Sequence, residues 1–168
     1  MAADTLFDER GYDATTVRDI GERAGVDPAM IARYFGGKEG LYLATLERDP
    51  REPLPAEIAR AFEQLLSRSE QRGLGPFPLA MVSPTLSDDM RDRVREIIGR
   101  RVVESFTDEL TAHGVADARL RAEVLVAVSI GVALTRASAT LPALADAPLD
   151  ELQAVLETVI DALQDAAS

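Results

Sequence analysis

Cysteine and tryptophan are absent from this 168-residue chain, and histidine and lysine occur once each, as His113 and Lys38. Without Cys there is no disulfide framework, thiol nucleophile or cysteine-based zinc site, and one imidazole leaves little for metal binding or proton relays. No metal or other cofactor is expected. Basic charge is scarce, with 18 Lys and Arg against 29 Asp and Glu and a net charge of −11. Long apolar runs are missing too. The most apolar window, Val124 to Leu134, falls far short of the roughly 20 residues that span a bilayer. The first residues mix acidic and apolar side chains where a secretory leader is basic and then apolar, so a cytoplasmic protein with no membrane partner is expected. No segment alternates apolar and polar residues over a strand's length. What remains is 46% hydrophobic and 28% charged residues, the balance of a soluble globular protein in about one domain's worth of chain.

Gly and Pro punctuate the sequence at Gly11, Gly25 to Pro28, Gly36-Gly37, Pro50 to Pro55, Gly73 to Pro78, Pro84, Gly114 and Leu141 to Pro148. They divide it into about nine helical segments, four short and then longer ones, predicting an all-α fold. The first helix carries Ala3, Leu6 and Phe7 on one face and stops at Gly11; its start looks clipped. Thr16-Val17-Arg18-Asp19 is a capping box that opens the second, with Val17, Ile20 and Ala24 facing inward. Asp27 as N-cap and Pro28 at the first helical position open the third, which runs to about Tyr34. The fourth begins near Lys38. A fifth from about Ala56 to Arg72 carries Ile58, Phe62, Leu65 and Leu66 as a core-facing stripe, and a short sixth covers Pro78 to Val82. The seventh opens at Ser87-Asp88-Asp89, carboxylates suited to a helix N-terminus, and runs to about His113.

The eighth segment, about Asp117 to Thr140, has Leu120, Val124, Leu125, Val126, Val128, Ile130, Val132 and Leu134 pointing in all directions, so it needs cover on two sides. The ninth, about Leu149 to Ala166, shows Leu149, Leu152, Val155, Leu156, Val159, Ile160 and Leu163 as one seam with acidic residues outside it. Such a pair suggests self-association through Val124, Val128, Leu152, Val155, Leu156, Val159 and Leu163; the alternative is that both helices cover a single monomer core.

Two short helices joined by Ala24-Gly25-Val26-Asp27 make a helix-turn-helix, whose second helix can lie in a DNA major groove. The run Gly11-Tyr12-Asp13-Ala14-Thr15-Thr16-Val17-Arg18-Asp19-Ile20, then Ala24-Gly25-Val26, Arg33-Tyr34-Phe35, Lys38-Glu39 and Leu41 closely resembles the DNA-binding signature of the tetracycline-repressor (TetR) family of one-component bacterial regulators, over about residues 2 to 47. The resemblance implies a helix-turn-helix DNA-binding domain at 1–47 and an effector-binding and dimerisation domain at 48–168. It implies a homodimer joined by the last two long helices, a palindromic double-stranded operator, and release by a small-molecule effector. On this reading the protein is a ligand-responsive repressor and not an enzyme.

Matched residue by residue, the third helix resembles the recognition helix, with Ala29 and Met30 at its groove-facing end and Arg33 on the same side. The chemistry suits this, because Arg can donate two hydrogen bonds to guanine O6/N7 whereas Ala and Met make apolar contacts such as to a thymine methyl. Arg18 matches a position that reaches a base or phosphate. Thr16, Tyr34 and Lys38 match phosphate-clamping positions, where a helix N-terminus adds its own N–H groups. Thr16 could instead be only a cap, the arginines only solvated surface, and Tyr34 core, although Phe35 is the better core residue. Three positions depart from the family pattern: Gly21 for Ala, Asp27 for Ser or Thr, and Ala32 for an aromatic. Gly21 is expected to soften the second helix by ~1 kcal/mol, and Asp27 brings negative charge toward phosphates.

Residues 1–48 carry 6 basic and 9 acidic side chains, so neither half has a generic nucleic-acid binder's basic balance; a positive face must come from Arg18, Arg33 and Lys38. The family's architecture implies an effector pocket walled by Phe62, Phe77, Met81, Met90, Ile97, Ile98, Phe106, Leu125 and Ser129, an apolar set that suits a hydrophobic or amphipathic ligand, though each residue could equally be ordinary core. Gly36-Gly37-Lys38 lacks a phosphate loop's spacing, and His113 reads as a helix C-terminal residue. Asp88-Asp89 reads as a helix start. A DNA-binding protein without an effector, and a helical enzyme or scaffold, stand as alternatives.

Overall fold

The computed structural model describes residues 2–48 and 57–164. Every regular element among them is helical: α1 (Ala2–Arg10), α2 (Val17–Ala24), α3 (Pro28–Phe35), α4 (Lys38–Arg48), α5 (Ile58–Arg72), α6 (Pro76–Val82), α7 (Asp88–Ile98, a π-helical stretch Gly99–Val103, then Glu104–Ala112), α8 (Ala118–Ala137), the short α9 (Pro142–Asp146) and α10 (Leu149–Gln164). The all-α class read from the sequence holds. Pro76, not Pro78, takes the first position of α6, and α9 occupies a stretch whose prolines had suggested only a break. The expected ends at Ala56 and Ala166 lie outside the described residues.

The chain separates into two compact units, one made from residues 1–51 and 72–97, the other from 52–71 and 98–168. Residues 72–97 thus cluster with the helix-turn-helix. In the first unit Ala3, Leu6 and Phe7 of α1 are buried, as their spacing predicted, with Ile20, Ile31, Leu41, Leu43 and Leu46. Tyr42 is wholly buried, its ring 4.8 Å from Phe7 and 4.9 Å from Tyr12. Its hydroxyl donates to the Pro76 carbonyl at 2.8 Å, and burial raises its pKa. Thr15, also fully buried, donates to the carbonyls of Leu6 and Gly11 at 3.2 and 2.8 Å. These bonds satisfy polar atoms that would otherwise be expensive to bury, and they bind the end of α1 to the loop that leads into α2.

In the second unit Ile58, Phe62 and Leu66 of α5, Phe106 and Leu110 of α7, Leu125 and Val126 of α8, and Leu152, Leu156 and Ile160 of α10 are buried. Side chains distant in sequence bond to backbone groups near helix ends. The Glu109 carboxylate accepts from the Ile58 N–H at 3.0 Å at the start of α5, while burial raises its pKa. Arg121 donates to the Leu163 carbonyl at 2.7 Å near the end of α10. Arg136 pairs with Glu70 at 2.6 Å and donates to the carbonyls of Leu144 and Ala147 at 2.6 and 2.8 Å, which ties α5, α8 and α9 together.

Candidate nucleic-acid interface

The turn between α2 and α3 is set by local chemistry. Thr16 has extended backbone angles (φ −110°, ψ 157°), and its hydroxyl oxygen accepts from the Asp19 N–H at 3.1 Å while the Asp19 carboxylate accepts from the Thr16 N–H at 2.9 Å. The capping box read from the sequence is therefore present. Hydrogen bonds from the Thr16 side chain and then its backbone hold Asp19 below the ordinary carboxylate range. Gly25 ends α2 at φ 68°, the left-handed region where a side chain is strained. Asp27 then accepts from the Ala29 N–H at 2.8 Å and caps α3, with Pro28 in its first turn.

Gly21 has a different role from the softening predicted. A Cβ there would lie 2.8 Å from the Val26 carbonyl oxygen and 3.1 and 3.2 Å from the Pro28 ring. Its missing side chain is what lets the turn and the first residue of α3 close onto α2, so helix propensity is traded for packing.

Only Ile31 of α3 is buried; Pro28, Ala29, Met30, Ala32, Arg33, Tyr34 and Phe35 are all exposed. A helix with one buried residue leaves most of its circumference open to a partner. Tyr34 is 69% exposed, and Phe35, read as the better core residue, is 43% exposed. Phe35 directly precedes the Gly36 that ends α3 in a left-handed conformation, and Ile31 alone fills the inward position. The Arg33 guanidinium lies 6.0 Å from the Tyr34 ring centre. Arg18 forms an exposed pair with Glu22 at 3.0 Å, and Arg23 one with Glu9 at 3.1 Å.

Lys38, at the start of α4, is half-buried. Its ammonium lies 4.0 Å from the Tyr12 ring centre and 3.5 Å from the Asp13 carbonyl oxygen, and burial lowers its pKa. The Asp13 carboxylate in turn accepts from the Ser83 and Thr85 hydroxyls. Sequence reasoning did not single out Tyr12 or Asp13 as site residues, although both stand in the motif it quoted. Thr16, Arg18, Ala29, Met30, Arg33, Tyr34 and Lys38 therefore all fall in the first unit, at or near the surface.

The residues read as pocket walls are split. Phe77, Met81, Met90 and Ile97 belong to the first unit, and Phe62, Ile98, Phe106, Leu125 and Ser129 to the second. Met81 is 43% exposed, because α6 turns Pro76, Pro78 and Ala80 inward instead. Phe77 is half-buried and the other seven are buried. Ser129 spends its hydroxyl on the Leu125 carbonyl of its own helix at 2.7 Å. Phe62 lines a cleft of about 140 Å³ between α5 and α10, with Arg60, Glu63, Gln153, Leu156, Glu157 and Ile160 among its other walls.

The seam predicted along the last helix divides into two faces. Leu152 and Leu156, expected at a dimer interface, are buried within the second unit with Ile160, whereas Val155 and Val159 are exposed. The reason is helical: positions 152, 156 and 160 repeat every four residues on one face, and 155 and 159 lie on another. On α8, Leu120 and Val124 are exposed, and Val128 there and Leu163 on α10 are half-buried. Among the described residues no helix is long and apolar enough to cross a membrane.

Comparison with known proteins agrees with this arrangement. Residues 1–45 match the model of bacterial regulatory proteins of the tetR family, and residues 52–163 match that of a tetracyclin repressor-like C-terminal domain. The HTH-type transcriptional regulator BetI of Burkholderia cenocepacia is 28% identical over 155 residues, 81% of this chain and 78% of that protein. The HTH-type transcriptional activator FasR of Mycolicibacterium smegmatis is 42% identical over 48 residues, 29% of this chain and 22% of the activator. In fold the chain is similar to the fatty acid degradation regulator FadR from Bacillus halodurans (TM-score 0.65, 14% identity, 99% and 96% of the two chains). It is similar also to GusR of Salmonella enterica (TM-score 0.63, 20% identity, 98% and 92%). The chain belongs to the TetR family: it is a DNA-binding, helix-turn-helix transcriptional regulator of the bacterial type.

Proposed function

We propose that this regulator binds a palindromic operator as a homodimer, represses, and is released by a small hydrophobic or amphipathic effector. The observation that carries the DNA reading is α3, where Ile31 alone is buried and Ala29, Met30, Arg33 and Tyr34 are open to a groove. Arg33 reads guanine through its two-donor edge, Ala29 and Met30 make apolar contacts, and Thr16, Arg18, Tyr34 and Lys38 position the backbone. DNA binding is assigned to residues 1–47, effector binding and dimerisation to 48–168. The acidic remainder of the chain suppresses non-specific binding, and the phosphate contacts make specific binding fall as salt rises.

A dimer face is supplied by Leu120 and Val124 of α8 and Val155 and Val159 of α10, large apolar side chains that lie in water in the single chain. Effector release requires a ligand that binds the two forms with different affinity. The route we favour runs through α6 and α7 to α4, and the Tyr42 bond to Pro76 supports the α6–α4 part of it. The test is selection of bound sequences from a random DNA pool at low salt with wild-type protein and with Arg33→Ala. A palindromic consensus that weakens in the variant supports the reading, and no enrichment by folded wild-type protein overturns it. A cognate ligand that binds tightly yet leaves operator affinity unchanged would falsify the coupling.

A further inference from the structure

We propose that Tyr12 is a positioning residue for DNA binding: its ring holds the Lys38 ammonium, together with the Asp13 carbonyl, so that the charge is preset toward a phosphate. The inference rests on the reading of Lys38 as a phosphate contact. Two other cations of the helix-turn-helix form exposed pairs with carboxylates, Arg18 with Glu22 and Arg23 with Glu9. In a chain of net charge −11, the direct contacts of the Lys38 ammonium are instead an aromatic face at 4.0 Å and a neutral carbonyl oxygen at 3.5 Å, while the Asp13 carboxylate, which accepts from Ser83 and Thr85, attracts it through space. A carboxylate would neutralise the ammonium and would have to be displaced by DNA. A π face attracts the cation through its quadrupole and leaves the full charge available.

The ring is itself fixed. Tyr12 packs 4.9 Å from Tyr42 and 6.3 Å from Phe7, both fully buried, and Tyr42 is held by its bond to the Pro76 carbonyl. Asp13 is held from its other end, where its carboxylate accepts from Ser83 and Thr85. A flexible four-carbon stem is thereby confined before DNA arrives, so less rotamer freedom is lost on binding.

The experiment measures affinity against salt concentration for the palindromic duplex selected by the wild-type protein, with Tyr12→Leu, Tyr12→Phe and each change in a Lys38→Met background. Tyr12→Leu should weaken binding about fivefold and flatten the log–log salt slope by about one. Tyr12→Phe, which keeps the ring, should restore both, and Tyr12→Leu should add nothing once Lys38 is Met. A Tyr12→Leu loss that leaves the salt slope intact, or that persists in full in the Lys38→Met background, would mean a purely structural role and overturn the inference. A second readout needs neither DNA nor a foldable Leu variant: the Lys38 side-chain methylene protons next to the nitrogen should be shifted upfield by the Tyr12 ring current in the free protein's NMR spectrum. Resonances at their ordinary position would overturn the proposal even if operator binding is confirmed. Failure of the selection with the shift present would instead count against the DNA reading of Lys38.

Discussion

α3 and α10 both expose large side chains, but of different chemistry. On α3 the exposed set includes Arg33 and Tyr34 beside Met30 and Phe35, and it follows a turn tightened by Gly21 and Gly25. On α10 the exposed Val155 and Val159 are β-branched, apolar and one turn apart on a face adjacent to a buried row. The first pattern mixes hydrogen-bond donors with apolar groups, as base edges require. The second offers only area, which suits another apolar face. Exposure alone thus says little about a partner; the chemistry of what is exposed separates the two surfaces.

The largest expected effect comes from the α10 face. The double change Val155→Glu with Val159→Glu should shift the sedimentation coefficient from dimer to monomer and weaken operator binding more than about 100-fold, since two linked half-sites lose their mutual advantage. Unchanged sedimentation would erase the contrast between the two helices. Next, Arg33→Ala should cost about 1–3 kcal/mol in operator affinity and relax one base position, while the protein stays dimeric by the same measurement. Gly21→Ala should lower stability by about 1–3 kcal/mol in urea unfolding, because crowding against the Val26 carbonyl outweighs the gain in helix propensity.

The smallest effect concerns acid. Hydrogen bonds from Thr16 depress the Asp19 pKa in the folded state, so its contribution is present above the ordinary carboxylate range and lost as pH falls through the depressed value. Thr16→Ala should therefore flatten the acid side of the stability profile without moving the dimer equilibrium. An acid limb identical to wild type would show that the cap does not contribute.

Local chemistry was the legible part. The Thr16–Asp19 box, the Asp27-Pro28 start and the stop at Gly25 involve residues within a few positions of one another, so composition and spacing suffice to read them. The apolar stripe of α5 was legible for the same reason. Phe35 was misjudged because its burial depends on which way the chain leaves α3, and the single seam on α10 was misjudged because a heptad-like run does not say which of two adjacent faces meets its own core. Gly21 looked like a helix defect because the atoms it makes room for belong to Val26 and Pro28, across the turn. Met81 was placed among the wall residues by the architecture the resemblance implies, without the orientation of α6.

The sequence by itself determined the all-helical class and the helix-turn-helix with its caps, since these follow from backbone preferences and contacts close along the chain, and its motif carried the resemblance to the family. Only the tertiary structure decided that Ile31 is the one buried residue of α3, that Leu152 and Leu156 turn inward while Val155 and Val159 turn out, and that Lys38 rests on Tyr12. Each of those depends on groups distant in sequence meeting in space, and their packing is settled by the whole core, not by any one segment.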